Sequence, residues 1–403
     1  MKKRILFLIL AGLLVLALVL TGCGGAPAEQ EEEEEEEEPE VLKIGLLVPL
    51  TGQFALWGEY FQTAFDIGLE EIGGEMGGRP VEWIVEDEGG FDTALALDKA
   101  KKLVESDGVE IMVGPFYGAS HFSVLPYTSS VPMVNLIYTQ TAREGELDNL
   151  YGFWMSSGYY DTGPVTGDYM YDVLGYRTCT TIASDNVIMR DFLAGITDAF
   201  EAKGGEVVDQ HWPPPNATDL TPYIGDFVIS DCLVVAQIEP TSTGLLFAAM
   251  DDMGMFEQMD VVIKGGEIPQ ALMETWPAAI EGIVGSQEFL CDLSYPETAT
   301  FVDAYVAEAG QLPDEKANNA YCVIKVLAAA LEETGGVTDA DVLRDALCDL
   351  EYDLPNGPFY FDEGRVAVED RYVCQVQKVG GELKWVILET FPEDHSVLTE
   401  YPH

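Results

Sequence analysis

Apolar residues along this chain fall into two alternating patterns. Residues 41–48 read VLKIGLLV, an almost unbroken apolar run of the kind that a strand buried on both faces requires. From Trp57 the spacing becomes helical, with Trp57, Phe61, Ala64, Phe65, Gly68 and Ile72 on one stripe. Gly73, Gly74, Gly77 and Gly78 then break the pattern. Strands are predicted over 81–85, 109–113 and 132–134. Helices are predicted over 92–104 and from the loop GPFYGASHF to about Tyr127. Strand–helix–strand units in succession predict a parallel sheet with helices on both faces.

The rhythm restarts near Val165. Helices over 165–173, 192–202 and 243–253 alternate with strands over 178–183, 206–209, 232–236 and 261–263. Two such sets predict an α/β fold of two Rossmann-like lobes, each with a parallel sheet, joined by a multi-strand hinge. Later helices over 298–309, 317–333 and 340–350 read as a return to the first lobe. Strands over 371–379 and 383–388 read as a pair returning to the second. The expected division is 41–160 for the first part of lobe 1, 161–287 for lobe 2, 288–370 for the return to lobe 1, and 371–403 for the closing strands and tail. Pro213-Pro214-Pro215 reads as a loop rather than a boundary.

The first forty residues follow neither pattern. Lys2, Lys3 and Arg4 precede sixteen residues, 5–20, with no polar side chain, and Leu20-Thr21-Gly22-Cys23 closes the run. A basic head, a short apolar core and small residues before a cleavage point make a secretory signal, here 1–22. A Cys at that point marks a lipoprotein signal, with Cys23 as the lipidated residue. Sixteen residues are short for a bilayer core, which takes about twenty, so acyl chains rather than a helix are expected to hold the mature protein at the membrane. Residues 23–40, with Glu31 to Glu38 unbroken, read as an extended acidic tether. The expected location is extracytoplasmic, at the cell surface or periplasmic side.

Charge adds an exclusion. The chain carries −51, and only ten of its 71 acidic and three of its 20 basic residues lie in the signal and tether. The remaining domain, with 61 acidic residues against 17 basic, repels nucleic acid and anionic lipid headgroups. No nucleic-acid partner is expected. The apolar fraction of 47% is ample for two cores.

Signals for catalysis are missing. The chain has no G-x-S-x-G elbow, no phosphate-binding loop and no G-x-G-x-x-G after a strand. His121, His211, His395 and His403 lie far apart, without carboxylate or Cys at metal-ligand spacing. No catalytic residue, metal or cofactor is assigned. Apart from Cys23, six cysteines are scattered without a C-x-x-C pair, mostly in apolar surroundings, and read as buried free thiols. Candidate chemistry sits instead in loops at the carboxyl ends of parallel strands, where open α/β sheets bind ligands beside helix N-termini. The loops over 51–57, 114–120 and 135–141 offer backbone N–H groups and hydroxyls suited to a carboxylate. Gly265-Gly266-Glu267 places one acid suited to an ammonium.

Several blocks carry a resemblance to a known family. KIGLLVPLTGQFALWGEYFQTAFDIGLEEI and VEIMVGPFYGASHFSVLPYTSSVPMVNL in the first lobe, with FLAGITDAFEAKGGEVV and NGPFYFDEGR later, are similar to the solute-binding lipoproteins of branched-chain amino acid ABC transporters. These leucine-binding-like receptors have the type I periplasmic binding fold, and the resemblance covers the whole chain after the tether. It implies a non-enzymatic, monomeric receptor that takes a small amino acid-like solute between two lobes and delivers it to an ABC permease. It also implies roles for particular residues. Trp57 packs on the solute. Tyr117, Gly118, Ala119 and Ser120, with Thr139 in the next loop, face its carboxylate. Glu267 takes its ammonium. Glu239 and the loop reaching Met189 close over it from the second lobe. Departures from the pattern are Gly118, where many members have Ser, and the bulky Ile137 and Tyr138. With Trp57, Phe116 and Tyr117 they leave open an aromatic acid or amide as the solute. A ligand sensor of the same fold and a lipoprotein enzyme are the remaining alternatives.

Overall fold

The computed structural model describes residues 40–394 apart from Phe91, 138–149, 157–159, Asp161, Asn216 and 238–239. Cys23 and the tether residues before Glu40 lie outside the described residues, as do Tyr138, Thr139 and Glu239.

The first sheet begins with β1 (Leu42–Val48), α1 (Ala55–Glu71), the short β2 (Glu75–Met76) and β3 (Arg79–Asp87). It continues with α2 (Thr93–Lys102), β4 (Ile111–Val113), α3 (Gly118–Ser130), β5 (Asn135–Ile137) and β6 (Gly152–Trp154). Its strand order is β2-β3-β1-β4-β5-β6, parallel except for the β2–β3 hairpin. The order reverses between β1 and β4, so a crevice opens at their carboxyl ends, beside the loops 49–54 and 114–117. β5 lies three residues beyond its predicted place. Pro132 has no N–H to give a ladder. The polar Asn135, which masks the strand in the hydropathy pattern, is fully buried.

The second lobe opens with α4 (Gly163–Asp172), β7 (Thr178–Ala183), α5 (Val187–Ala202), β8 (Glu206–His211) and α6 (Thr221–Gly225). It goes on through β9 (Cys232–Ala236), α7 (Pro240–Asp252), β10 (Asp260–Lys264) and β11 (Val284–Gln287). β7 to β10 pair in parallel, and all five residues of β9 are wholly buried, as a central strand demands. This sheet also reverses, at β7 and β9. Its carboxyl ends carry the loops that start α5 and α7.

Next come α8 (Pro296–Ala309), α9 (Glu315–Thr334) and α10 (Ala340–Cys348). α8 and α9 pack on α1 of the first lobe. There Gly68 leaves room for Ile324, whose side chain a Cβ at Gly68 would meet at 3.0 Å. β12 (Glu351–Leu354), β13 (Gly357–Phe361), β14 (Ala367–Val379) and β15 (Glu382–Asp394) finish the chain. β14 is antiparallel to β11 and carries β15 on its other edge register, while Val366 just before it bridges Trp154 of the first sheet. The chain therefore passes between the lobes after β6, after β11 and before β14.

A buried ion pair ties these three passages together. Arg371 reaches Glu288 at 3.0 Å, and Ser156 donates to the same Glu288 oxygen at 3.2 Å. Pairs of this kind hold geometry more than they add stability. Among the described residues no disulfide joins the cysteines: Cys179, Cys232, Cys322 and Cys374 are buried, Cys291 is half-buried and Cys348 is exposed. No described helix is long and apolar enough to cross a membrane.

Candidate functional site

Two consecutive acids at the end of β3 shape the first wall of the cleft. Asp87 accepts from the Leu50 backbone N–H at 2.9 Å and from the Thr51 hydroxyl at 2.6 Å, fixing the loop that leaves β1. Burial raises its carboxyl, but these donors and the Gly89 N–H outweigh it and hold it below its ordinary value. Glu88, fully buried, accepts the Tyr117 N–H at 3.0 Å and so fixes the loop that leaves β4. Burial pushes its carboxyl well above the usual range despite that bond. Behind them α1 presses on the β1 exit loop. A Cβ on Gly58 would sit 1.9 Å from the Pro49 oxygen, so only glycine fits.

Those two loops bring four rings together. Phe54 stacks on Trp57 at 5.3 Å and 9° and on Tyr117 at 5.6 Å. Phe116 packs against Trp57 at 5.3 Å. All four are buried, in offset or tilted contacts that aromatic quadrupoles favour. The Trp57 indole N–H has no partner among the described residues.

Facing this wall are charged groups and helix starts. Ile188 and Met189 lie in the first turn of α5, which Asn186 caps by accepting the Met189 N–H at 3.0 Å. Lys264 ends β10, and Glu267 follows in a short turn. Lys316 stands in the first turn of α9. Glu315 Oε1 receives Lys316 at 2.8 Å and Lys264 at 3.3 Å, so a buried triad with two cations and one anion spans the lobes. Burial opposes charge on Glu315, but the two lysines outweigh it and hold its carboxyl far below the ordinary value. The space enclosed by the rings, the α5 start, Glu267 and the lysines is about 20 Å³, room for about one water.

This arrangement suits an anion. The N-termini of α3, α5 and α9 converge with two ammonium groups, and each helix start presents partial positive charge. Lys264 and Lys316 stand here with two carboxylates, Glu315 and Glu267, so the site offers both ammonium donors and a carboxylate acceptor.

Of the residues singled out in the sequence, Trp57, Tyr117, Gly118, Met189 and Glu267 meet around one cavity. Ala119 and Ser120 sit deeper in α3, Ser120 wholly buried, and neither lines it. The Tyr117 amide is held by Glu88. Ile137 packs with Leu125, Trp154 and Val366 in a separate apolar cluster. Sequence reasoning missed Phe54, Ile188, Lys264 and Lys316, while Phe116, which it placed with Trp57 and Tyr117 in an aromatic pocket, does line the cavity. A lysine ending an apolar run, VVIK, was the available signal for Lys264. Lys316, in PDEKANNAY, carries no signal of its own in the sequence.

Two lobes, three crossings and a polar, aromatic cleft are the architecture of a solute-binding protein. The profile of the family described as periplasmic binding protein matches residues 41–381, and the chain belongs to that family. Among relatives, the Leu/Ile/Val-binding protein homolog 6 of Brucella suis biovar 1 is 26% identical over 351 residues, 84% of this chain and 88% of that one. The Leu/Ile/Val-binding protein BraC3 of Rhizobium johnstonii is 24% identical over 322 residues, 76% of this chain and 83% of its own length. Two solved structures share the fold. One is a solute binding protein of an ABC transporter from Rhodopseudomonas palustris BisB5 in complex with 3,4-dihydroxy benzoic acid. Its TM-score is 0.82 and its identity 24%, over 88% of this chain and 98% of that one. The other, the leucine binding protein LivK of Thermotoga maritima, has a TM-score of 0.76 and 17% identity, over 88% of this chain and 99% of its own.

Proposed function

We propose that this protein is an extracytoplasmic, lipid-anchored receptor that captures a small aromatic carboxylic acid between its lobes and hands it to an ABC importer. One observation carries the reading: a cavity walled by Phe54, Trp57, Phe116 and Tyr117 on one side and by Lys264 and Lys316 on another. A planar ring gains stacking and desolvation against the first wall. Its carboxylate gains charge-assisted hydrogen bonds from the second. The partnerless Trp57 indole N–H offers a further donor to a solute oxygen. The aromatic acid bound by the Rhodopseudomonas structure supports the same class.

Glu267 favours a second reading. A carboxylate beside the lysines would pair the ammonium of an α-amino acid, in line with the names of the Leu/Ile/Val-binding relatives. Under the first reading Glu267 accepts from a ring hydroxyl instead.

Calorimetric titration separates the two. Benzoate, 4-hydroxybenzoate, phenylalanine and leucine are titrated into wild type and Glu267→Gln. Aromatic acids should bind wild type, and Glu267→Gln should leave benzoate unchanged. Binding of the amino acids alone, lost in Glu267→Gln, overturns the first reading in favour of the second. Anchoring is tested apart from this. Cys23→Ala should leave the membrane fraction or stay unprocessed, and a membrane-bound variant of unchanged mature size contradicts the lipid anchor.

A further inference from the structure

Glu315 already occupies the partners that a solute carboxylate would use. Its Oε1 lies 2.8 Å from the Lys316 ammonium and 3.3 Å from that of Lys264, the two basic residues that line the cleft cavity. All three side chains are buried, so water screens these pairs little. Among the described residues, the hydrogen bonds of the Glu315 carboxylate go to these two lysines alone.

A glycine lets it stand there. A Cβ on Gly266 would lie 2.7 Å from Glu315 Oε1 and 3.1 Å from its Cδ, so the carboxylate rests against bare backbone beside Glu267. Glu315 is not the cap of its helix. Asp314, one residue earlier, has that role, accepting the Ala317 N–H at 2.9 Å. The position of the Glu315 carboxylate is therefore set by the lysines and by Gly266.

We propose that Glu315 is an internal competitor for the acid group of the solute, and that it sets the affinity of the cleft for carboxylates. The inference rests on the reading that Lys264 and Lys316 take that acid group. An incoming carboxylate meets ammonium groups already paired, and it meets the repulsion of a like charge beside them. An uncharged solute of the same shape meets neither effect. A residue that only held the lysines in place would act with the opposite sign, because its loss would weaken the acid.

Benzoate, benzamide and phenylalanine are titrated calorimetrically into wild type, Glu315→Gln and Gly266→Ala. Gln keeps the shape and an oxygen acceptor but not the charge. Ala at 266 keeps the charge and displaces the carboxylate, which can move because it is the end of a flexible side chain. Benzoate should bind Glu315→Gln at least about tenfold more tightly, the worth of one hydrogen bond to a charged group. Gly266→Ala should tighten it by a smaller factor, and benzamide should bind all three proteins alike. Benzoate affinity that falls or stays level in Glu315→Gln overturns the proposal. So does an equal gain for benzamide, which would report enlarged space rather than charge. If Glu315→Gln does not fold, Gly266→Ala decides by the same criteria. A wild type that takes phenylalanine and not benzoate fails the aromatic-acid reading alone. Phenylalanine carries the same carboxylate, and its gain or loss in the variants then upholds or overturns the competitor. Binding of neither acid to any of the three proteins overturns both.

Discussion

Lys316 is the residue on which the ligand chemistry turns. It stands in the first turn of α9 beside Glu315, which also receives Lys264 from the second lobe. Lys316→Gln should weaken aromatic acids by about 10- to 150-fold, the worth of one hydrogen bond to a charged group. Calorimetry that finds benzoate affinity unchanged would remove the lysines from the site. Its neighbour Asp314 makes a pH prediction. Burial, aided by Glu315 and opposed by Lys316 and the Ala317 N–H, raises its carboxyl from 3.8 to about 6. The folded state keeps a proton there that the unfolded chain releases. The associated stability is thus full below about pH 4 and is lost as the pH rises through about 6. Wild type should lose roughly 3 kcal/mol relative to Asp314→Asn across that window. Urea unfolding at each pH checks this, and a flat difference would contradict the raised value. At this scale the sequence singled out Tyr117 and Glu267 beside glycine-rich loops at strand ends and Trp57 from the resemblance, and the structure brings the three around one cavity. Lys316 was illegible because only the return of α9 to the first lobe brings it there.

Elements were more legible than residues. β7 and β9 lie where the apolar runs over 178–183 and 232–236 put them, since central parallel strands are apolar on both faces. β6, β11, β12 and β13 escaped because each is short and interrupted by Gly, Pro or polar residues, unlike the unbroken CLVVA of β9. Helix contacts depend on glycines that the pattern does not reveal. α4 and α5 cross so closely that a Cβ on Gly195 would lie 2.1 Å from the Tyr160 oxygen, and one on Gly163 would lie 2.4 Å from Gly195 itself. Gly195→Ala must push the helices apart and should cost roughly 1–3 kcal/mol. A lower urea midpoint with unchanged slope is the expected result. An unaltered midpoint would mean that the crossing is looser than described.

For the whole molecule, two lobes and a cleft could be inferred from the repeated strand–helix rhythm, but the content of the cleft could not. It depends on which loops the two sheet reversals bring face to face, and on three crossings held by Ser156, Glu288 and Arg371. The proposed function takes solute into an opened form of the cleft. Binding then favours closure by its differential affinity for the two forms. The central claim is that this cleft takes an aromatic carboxylate, ring against the lobe 1 wall and charge toward the lysines. A crystal structure of the protein grown with 4-hydroxybenzoate tests it most directly. The account predicts the ring between Trp57 and Tyr117 on one side and Met189 on the other, with the carboxylate within hydrogen-bonding distance of Lys264 or Lys316. An empty cleft at saturating acid, or a carboxylate turned away from both lysines, would contradict it.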